Sequence, residues 1–343
     1  MTSAWQDFLL ERGARIEADA VRHFGDAEAE LRAVRDGGII APLTHLGLIA
    51  CSGEDAQTFL HGQLSNDVMH LDPARSEYAA YCSAKGRMLA NFLVWREDRT
   101  FYLQLARELL PALQKRLAMF VLRAKVKLED ASEARPVLGV AGSAAAAALG
   151  EFFPVLPQRA HQIVHDPVNG TLIALPGERF QLIAELESAK RLWLRLAAVL
   201  RPVGAPCWEW LEIRNGLPLI TPATQEQFVP QMANMELIGA VNFQKGCYPG
   251  QEIVARTQYL GQLKRRMVLA HVDGGSPPQA GDPLFSSELD GQASGMVVNA
   301  QAAPDGGCDL LAVVQTANLA RAALHLRSAD GPALSIQPLP YPV

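Results

Sequence analysis

The chain has 343 residues, of which 49% are hydrophobic and 20% charged, with a formal net charge of -5 and a pI near 5.9. This length fits about two domains, and the composition is typical of a globular protein with a substantial core. The acidic balance argues against a protein that holds nucleic acid by bulk electrostatics, because such proteins usually present a basic face. No apolar run approaches the ~20 residues of a membrane span, so we expect no membrane association.

The cysteines and the N-terminal residues indicate the compartment. The segment Ser3–Phe8 already contains an acid, Asp7, and no long apolar run, so we expect no secretory signal there. Five cysteines, an odd number and never in a Cys-x-x-Cys pair, make a disulfide framework or zinc site unexpected. They are Cys51, Cys82, Cys207, Cys247 and Cys308. A reducing cytoplasm is the expected location.

The first 40 residues are predicted to form a helical extension of one or two amphipathic helices. Large apolar residues recur there at spacings of three and four, as in Trp5, Phe8 and Leu9. Ser52 and Asp55 form the pattern of a capping box, which predicts a helix that begins directly after them.

Alternating apolar runs and turn residues predict strands in two successive groups. The first group contains three strands joined by hairpins, then a helix with a leucine stripe and a returning strand: Tyr78–Ala84, Met88–Trp95, Phe101–Leu105, Leu109–Leu117 and Val126–Leu128. A similar order recurs with strands near 171–175 and 179–184 and a helix through Ala189–Leu200. We interpret these groups as two α+β subdomains of like build.

The last ~80 residues have a different sequence pattern from the rest of the chain. Short β-type runs alternate there with Gly, Pro and Asp turns: Met267–Val272, Ala293–Val298, Leu310–Gln315 and Ala322–Leu326. This spacing predicts a small β-barrel or sandwich. The predicted fold class is therefore α+β, with an α+β region at residues 1–262 and a β-barrel domain at residues 263–343.

The usual motifs of several enzyme classes are absent from the sequence. We find no dinucleotide-binding glycine motif, Walker loop, His-Glu-x-x-His or Gly-x-Ser-x-Gly elbow. His161 and His165 flank a β-like segment, where a spacing of four does not place them on one helical face. Surface or core histidines explain them better than a metal site does.

The densest candidate segment runs from Lys245 to Arg256. Its glycines and proline predict a tight turn, with Gly250 as the cap of a short helix that begins at Gln251. Cys247 would lie just before that helix and two residues from Lys245, and both features favour a thiolate. The alternative is that Cys247 is a small buried hydrophobe in a structural turn.

This segment resembles the motif of the YgfZ family, Lys-Gly-Cys-Tyr-x-Gly-Gln-Glu. Similarity extends over roughly residues 40–300 and includes these further stretches: Gly53–Ala56, Phe59–Val68, Lys85–Met88, Gly216–Pro218, Phe228–Gln231, Asn234, Gly261 and Lys264–Arg265. The resemblance implies the fold of the glycine-cleavage aminomethyltransferase, with two ferredoxin-like α+β subdomains that bind folate and a C-terminal β-barrel. It also implies tetrahydrofolate as cofactor and a role in maintaining iron–sulfur enzymes, including those that methylthiolate tRNA.

The resemblance further implies the site residues. Cys247 would be the functional centre, and the candidate folate-contact residues are Asn66, Asp67, Trp208, Lys245, Gly246, Tyr248, Gly250, Gln251, Glu252 and Arg256. An indole face suits stacking on a pterin, and the alternative is that Trp208 is a core tryptophan. A second family tryptophan corresponds to Leu46 here, and Arg214 replaces the glutamate that meets the pterin in the aminomethyltransferases.

One departure bears on catalysis. The aminomethyltransferases carry an Asp-Asp pair where this chain has Ala90 and Asn91, so the parent reaction is not expected. A cluster of nearby basic residues would suit the polyglutamate tail of folate, an RNA backbone or simply solvent: Arg256, Lys264, Arg265 and Arg266. In a net negative chain, the small anionic ligand is favoured over a stable direct nucleic-acid site.

The sequence thus supports a folate-binding accessory protein of iron–sulfur metabolism, with folate and iron–sulfur enzymes or assembly proteins as partners. Two rivals remain open. One is a tetrahydrofolate-dependent one-carbon transferase or demethylase, and the other is a non-catalytic scaffold whose motif supports a protein-binding surface.

Overall fold

The computed structural model describes residues 3–259, 261, 263–286, 292–318 and 323–343, apart from the side chain of Asp36. Its helices are α1 Ala4–Leu10, α2 Ala27–Asp36, α3 Ala56–His61, α4 Leu110–Ala118, α5 Ala145–Leu149, α6 Leu186–Leu196, α7 Ala205–Arg214 and α8 Gln251–Tyr259. Its strands are β1 Arg15–Glu17, β2 Ala20–His23, β3 Gly38–Pro42, β4 Leu46–Ser52, β5 Glu77–Cys82, β6 Met88–Glu97, β7 Thr100–Ala106, β8 Lys127–Asp130, β9 Val137–Gly142, β10 Ile163–Asp166, β11 Gly170–Leu175, β12 Arg179–Ile183, β13 Arg201–Pro202, β14 Arg265–Val272, β15 Pro283–Ser286, β16 Ala293–Ala302, β17 Cys308–Gln315, β18 Leu324–Leu326 and β19 Leu334–Gln337. The α+β fold class is confirmed.

The described chain divides into two units. The first comprises the residues up to Ala56, residues 71–76 and residues 94–209, and the second comprises residues 57–70, 77–93 and those from Trp210 onward. The chain leaves the second unit for the first within β6. The domain boundary predicted from the sequence follows Gln262, a residue outside the described ranges, and it stays a prediction.

A six-stranded sheet organises the first unit. Its order is β10-β11-β12-β9-β3-β13, with only the short β13–β3 pair parallel. One face is covered by apolar side chains of α1, α5 and α6. Trp5 and Phe8 stack with their ring centroids 5.3 Å apart, and Trp5 meets Trp193 edge-on at 6.4 Å. Such aromatic clusters contribute much of the apolar area that a core removes from water.

The N-terminal segment is only partly as expected. Helix α1 begins after Ser3, whose hydroxyl accepts from Gln6 N at 3.2 Å while Gln6 Oε1 accepts from Ser3 N at 3.1 Å. Between α1 and α2, however, lies the β1–β2 hairpin rather than helix. Its turn is formed by Ala18 and Asp19 at φ 47° and 65°. These are not the glycine or asparagine that usually identify such a turn, which is why the sequence pattern missed it.

The predicted capping box has a different role in the structure. Helix α3 does begin at Ala56, but the Asp55 carboxylate accepts from Lys125 N at 2.7 Å. Asp55 N in turn donates to Lys125 O at 3.3 Å. Both groups therefore connect the start of the helix to the segment that precedes β8. Strand β4 lies between β7 and β8 and pairs with each of them in an antiparallel arrangement.

The second unit contains a curled six-stranded antiparallel sheet in the order β18-β15-β16-β17-β14-β19. The sheet curls so that its edge strands approach at an isolated bridge between His325 and Ala333. The inward side chains of β14 and β17, including Ala270 and Leu310, are fully buried. The predicted C-terminal β region is confirmed, although Ala322, where its last predicted strand began, lies outside the described residues. None of the helices in the described ranges is both long and apolar enough to cross a membrane.

Candidate functional site

The motif segment, defined as Lys245–Glu252, leads directly into α8 as predicted. Gly250 has φ 79°, a left-handed conformation that favours glycine, and its carbonyl accepts the first helical bond from Val254 N at 3.2 Å. Gln251 N donates to Tyr248 O at 3.2 Å, which closes the turn. The turn closed by Tyr248 and the start of α8 therefore fix the backbone conformation around Pro249.

A second glycine turn packs against the motif segment. A Cβ on Gly250 would lie 2.4 Å from Ser83 O and 2.6 Å from Gly86 Cα. Reciprocally, a Cβ on Gly86 would lie 2.8 Å from Ile253 Cβ. Only residues without a side chain permit this approach, so the Lys85–Met88 stretch and the motif segment fit together as one surface.

Lys245 is buried, and its ammonium group is held by the main chain. Its Nζ donates to His61 O and, at 2.6 Å, to Leu64 O. The same nitrogen lies 5.2 Å from the centre of the Tyr248 ring. Burial lowers the pKa of Lys245 to about 8, opposed by the nearby carboxylates of Asp67 and Glu77. Lys245 thus fixes the turn that follows α3 rather than forming an ordinary surface ion pair.

Acidic and imidazole groups surround this lysine. Asp67 Oδ1 lies 3.3 Å from His61 Nδ1, and Asp67 Oδ2 lies 2.8 Å from His70 Nδ1. Burial acts to raise the pKa of Asp67, but the hydrogen bond from His70 and the two nearby imidazoles lower it overall. Burial raises the pKa of Glu77 to about 7, helped by Asp67 and opposed by Lys245. The pKa values of Lys245 and Glu77 are therefore both moved toward neutrality from those of an ordinary lysine and glutamate.

Asn66 has a structural role in this arrangement. Its side-chain amide donates to Tyr78 O and to Gly239 O, both at 2.8 Å, and its Oδ1 accepts from Asp67 N at 2.9 Å. All its polar atoms are therefore used by the main chain. Asn66 positions the backbone of Asp67 and leaves the carboxylate free to contact the imidazoles.

The remaining predicted motif residues lie at different depths. Tyr248 is buried, which raises the pKa of its hydroxyl. Gly246 is exposed, and a Cβ there would lie 3.5 Å from His61 Nε2. Gln251 Nε2 donates to Lys245 O at 3.4 Å, whereas Glu252 and Arg256 extend from the exposed face of α8. The structure thus brings Asn66, Asp67 and the motif segment together, within the second unit.

Cys247 differs from every other cysteine in its accessibility. It is exposed, whereas Cys51, Cys82, Cys207 and Cys308 are buried. Burial raises the pKa of Cys51, Cys82 and Cys207 to about 12, which suppresses their thiolates at neutral pH. Within the described residues, no group of three or more His, Cys, Asp or Glu side chains could hold a metal ion.

Trp208 belongs to the first unit and is fully buried. Its ring lies on Gly139, where an added Cβ would come within 2.5 Å of the indole, and Arg179 lies 5.2 Å from its ring centroid. The indole Nε1 is buried without a hydrogen-bond partner. This packing fits the core-tryptophan alternative, while the folate contact stays a prediction.

The two polar residues at the departures from the aminomethyltransferase pattern, Asn91 and Arg214, both have polar partners within the protein. Asn91 Nδ2 donates to Pro218 O at 2.7 Å, and its Oδ1 accepts from Ile220 N at 2.8 Å. Arg214 donates to Gln337 and lies 3.6 Å from Asp309. Asn91 and Arg214 therefore serve the packing of the second unit. Glu77 was not among the residues predicted for the site, because its signal in the sequence is only that of an acid before a short apolar run.

Three comparisons place the chain among known proteins. A family described as the GCVT N-terminal domain matches residues 11–245. Two relatives, each named "tRNA-modifying protein YgfZ", are 34% identical: the one from Sodalis glossinidius (strain morsitans) over 298 residues, and the one from Klebsiella pneumoniae (strain 342) over 295. Each alignment covers 86% of this chain and 90% of the relative.

The fold matches a solved structure over nearly its whole length. The crystal structure of the glycine cleavage system aminomethyltransferase T from Bartonella henselae superimposes with a TM-score of 0.75 at 19% identity, covering 99% of this chain and 97% of that one. Because identity is low, this likeness defines the fold alone. The family match and the two relatives confirm the resemblance drawn from the motif: the chain belongs to the YgfZ family.

Proposed function

We propose that this protein is a folate-binding accessory protein that supports the assembly or repair of iron–sulfur enzymes, including tRNA-methylthiolating ones, through Cys247. The observation that carries the proposal is the accessibility of Cys247 on a rigid turn, in contrast to four buried cysteines. Two relatives are named as tRNA-modifying proteins, which supports a role in that process. A thiol on a preorganised backbone suits nucleophilic attack, transient ligation of iron or sulfur, or redox sensing.

The experiment is complementation of a deletion strain. We expect Cys247→Ala and Cys247→Ser to fail to restore growth and the activity of tRNA-methylthiolating enzymes. Cys308→Ala, a change at a buried cysteine of the same unit, is the matched control and should restore both. Full activity of both Cys247 variants would contradict the role of the thiol and would favour the scaffold alternative.

The folate part of the proposal has a separate test. The aminomethyltransferase-like fold supports tetrahydrofolate as the ligand. We expect tetrahydrofolate to quench the fluorescence of Trp208, because a pterin bound close to a buried indole can accept its excitation energy without direct ring contact. Trp208→Phe should remove most of the change, whereas Trp193→Phe should not. Binding with unaltered quenching in the Trp208 variant would place the pterin elsewhere.

The one-carbon transferase is disfavoured by the side chains at positions 90 and 91. Asn91 is neutral and its amide is fully used by the Pro218–Ile220 segment, so it is not available to accept a proton. Supplied with tetrahydrofolate and aminomethylated carrier protein, the chain should release no ammonia above background. Robust release would overturn the accessory role and favour the transferase.

A further inference from the structure

The segment that follows α4 presents apolar side chains to solvent although it is held in a defined conformation. Met119 is 60% exposed, Phe120 44% and Leu122 88%. Phe120 N donates to Leu117 O at 3.0 Å, Val121 N to Ala118 O at 3.2 Å, and Ala124 N to Val121 O at 2.8 Å. These successive turns fix the direction of the backbone, so the exposure is a property of an ordered segment.

Packing in the core does not account for the presence of these apolar side chains at the surface. The apolar stripe of α4 consists of Leu110, Leu113 and Leu117, all of which are buried. Leu122 lies beyond that stripe and adopts φ 48°, a left-handed conformation in which glycine or asparagine would be less strained. Exposed apolar clusters of this kind mark interaction sites more often than scattered single residues do.

Cations border the same segment. Lys115 and Arg116 lie in the last turn of α4, and Arg123 follows Leu122. Among the described residues, no carboxylate lies within ion-pair distance of these three side chains, and Arg116 Nε is a buried atom without a partner. We define the apolar–basic patch as Met119, Phe120 and Leu122 together with these three cations.

The charges around the patch narrow the choice of partner. Beyond its edge, Lys125 pairs with Glu54 at 2.6 Å and Lys127 pairs with Glu129 at 2.8 Å, so these cations are neutralised and the unpaired positive charge is confined to the patch. A broad anionic surface such as a membrane would therefore meet attractive charge over only this small area. A second copy of the patch would bring cation against cation. A protein segment with local acids fits instead, and Met, Arg and aromatic residues are the types enriched at protein interfaces.

We propose that the apolar–basic patch docks an amphipathic segment of a partner protein that carries apolar residues on one face and carboxylates beside them. Met119, Phe120 and Leu122 contact the apolar face, and Lys115, Arg116 and Arg123 meet the carboxylates. This site is independent of the motif segment, because all of its residues belong to the first unit.

The test uses a fluorescein-labelled helical peptide with leucines on one face and glutamates on the other, and a second peptide with lysines in place of the glutamates. Fluorescence anisotropy should show binding of the Glu peptide, weakened by salt, and little binding of the Lys peptide. Phe120→Ser with Leu122→Ser should raise the dissociation constant at least about tenfold. Lys115→Glu with Arg123→Glu should reverse the preference between the two peptides.

Val199→Ser, a change at an apolar residue of the same unit that is 63% exposed, is the matched control and should bind like the wild type. Circular dichroism should show all variants folded, since every changed side chain is exposed. Failure of both peptides to bind the wild type, or equal binding by the Phe120/Leu122 variant, would overturn the proposal. Stronger binding to phosphatidylserine vesicles, or self-association lost in that variant, would assign the patch to a membrane or to a second copy instead.

Discussion

Gly250 and Gly86 lie so close together that a Cβ on Gly250 would come within 2.6 Å of Gly86 Cα. They are separated by more than 160 positions in the sequence, and both have positive φ, 79° and 69°. The conformation of the turn that carries Cys247 therefore depends on a second turn far away in the chain. This contact predicts how the motif segment responds to substitution.

Gly250→Ala should lower the free energy of unfolding by about 2 kcal/mol or more, since the left-handed backbone disfavours alanine and the new Cβ has no room. Gly239 provides the control, because it has φ 74° but nothing within 4 Å of an added Cβ. Gly239→Ala should lower the free energy of unfolding by only ~1–2 kcal/mol, because it introduces backbone strain but no steric clash. Urea unfolding measures both. Equal losses for the two variants would mean that the contact between the glycines contributes nothing.

Iodoacetamide should alkylate Cys247 faster than any other cysteine at neutral pH. Cys247 is exposed, while burial raises the pKa of Cys51, Cys82 and Cys207 to about 12. Mass spectrometry of digested samples taken over time gives the rate at each site. All five should react at similar rates in urea, where burial no longer protects them. Slower labelling of Cys247 than of the other four in the folded protein would support the structural-turn alternative.

Asn91→Asp should destabilise the protein by about 1–3 kcal/mol at neutral pH, because a carboxylate would face Pro218 O without a proton to donate. A protonated aspartate can donate that hydrogen bond, so the pKa of the new carboxyl should be raised in the folded state. The loss should therefore be small at acid pH and grow as the pH rises through that pKa. Guanidinium unfolding at several pH values measures it. A loss that is the same at every pH would exclude repulsion between the two oxygens as its cause.

Glu77 should make stability depend on pH between about 4.5 and 7. Burial raises its folded-state pKa to about 7 from an ordinary 4.5, so the folded state binds more protons in this window. Its contribution is complete below the ordinary pKa and is lost as the pH rises through the folded-state value. Each unit of difference corresponds to ~1.4 kcal/mol, so a rise from 4.5 to about 7 corresponds to a contribution of roughly 3 kcal/mol.

Comparison with Glu77→Gln isolates this contribution from other titrating groups. The variant keeps the shape of the side chain and cannot titrate, so its stability should fall less than that of the wild type as the pH rises from 4.5 to 7. Thermal unfolding in buffers across this range is the measurement. Parallel pH profiles for the two proteins would contradict the raised pKa.

Local sequence patterns were sufficient to predict several strands and helices of this protein and its family. Apolar runs between turn residues predicted strands such as Met88–Trp95, which the structure extends to Glu97, and the leucine stripe of Leu109–Leu117 predicted the helix observed at Leu110–Ala118. The Lys-Gly-Cys-Tyr-x-Gly-Gln-Glu motif identified the family and the start of the helix at Gln251. The helix and strand patterns can be recognised in the sequence because backbone geometry fixes their periodicities over only a few residues.

The burial and the contacts of the motif residues, in contrast, are evident only from the folded structure. Lys245 and Cys247 are two residues apart, yet the ammonium group binds the carbonyls of His61 and Leu64 while the thiol is exposed. Glu77 acquired a raised pKa only because folding buried it near Asp67. Burial and long-range contacts depend on segments brought together by the whole fold, and no local pattern records them.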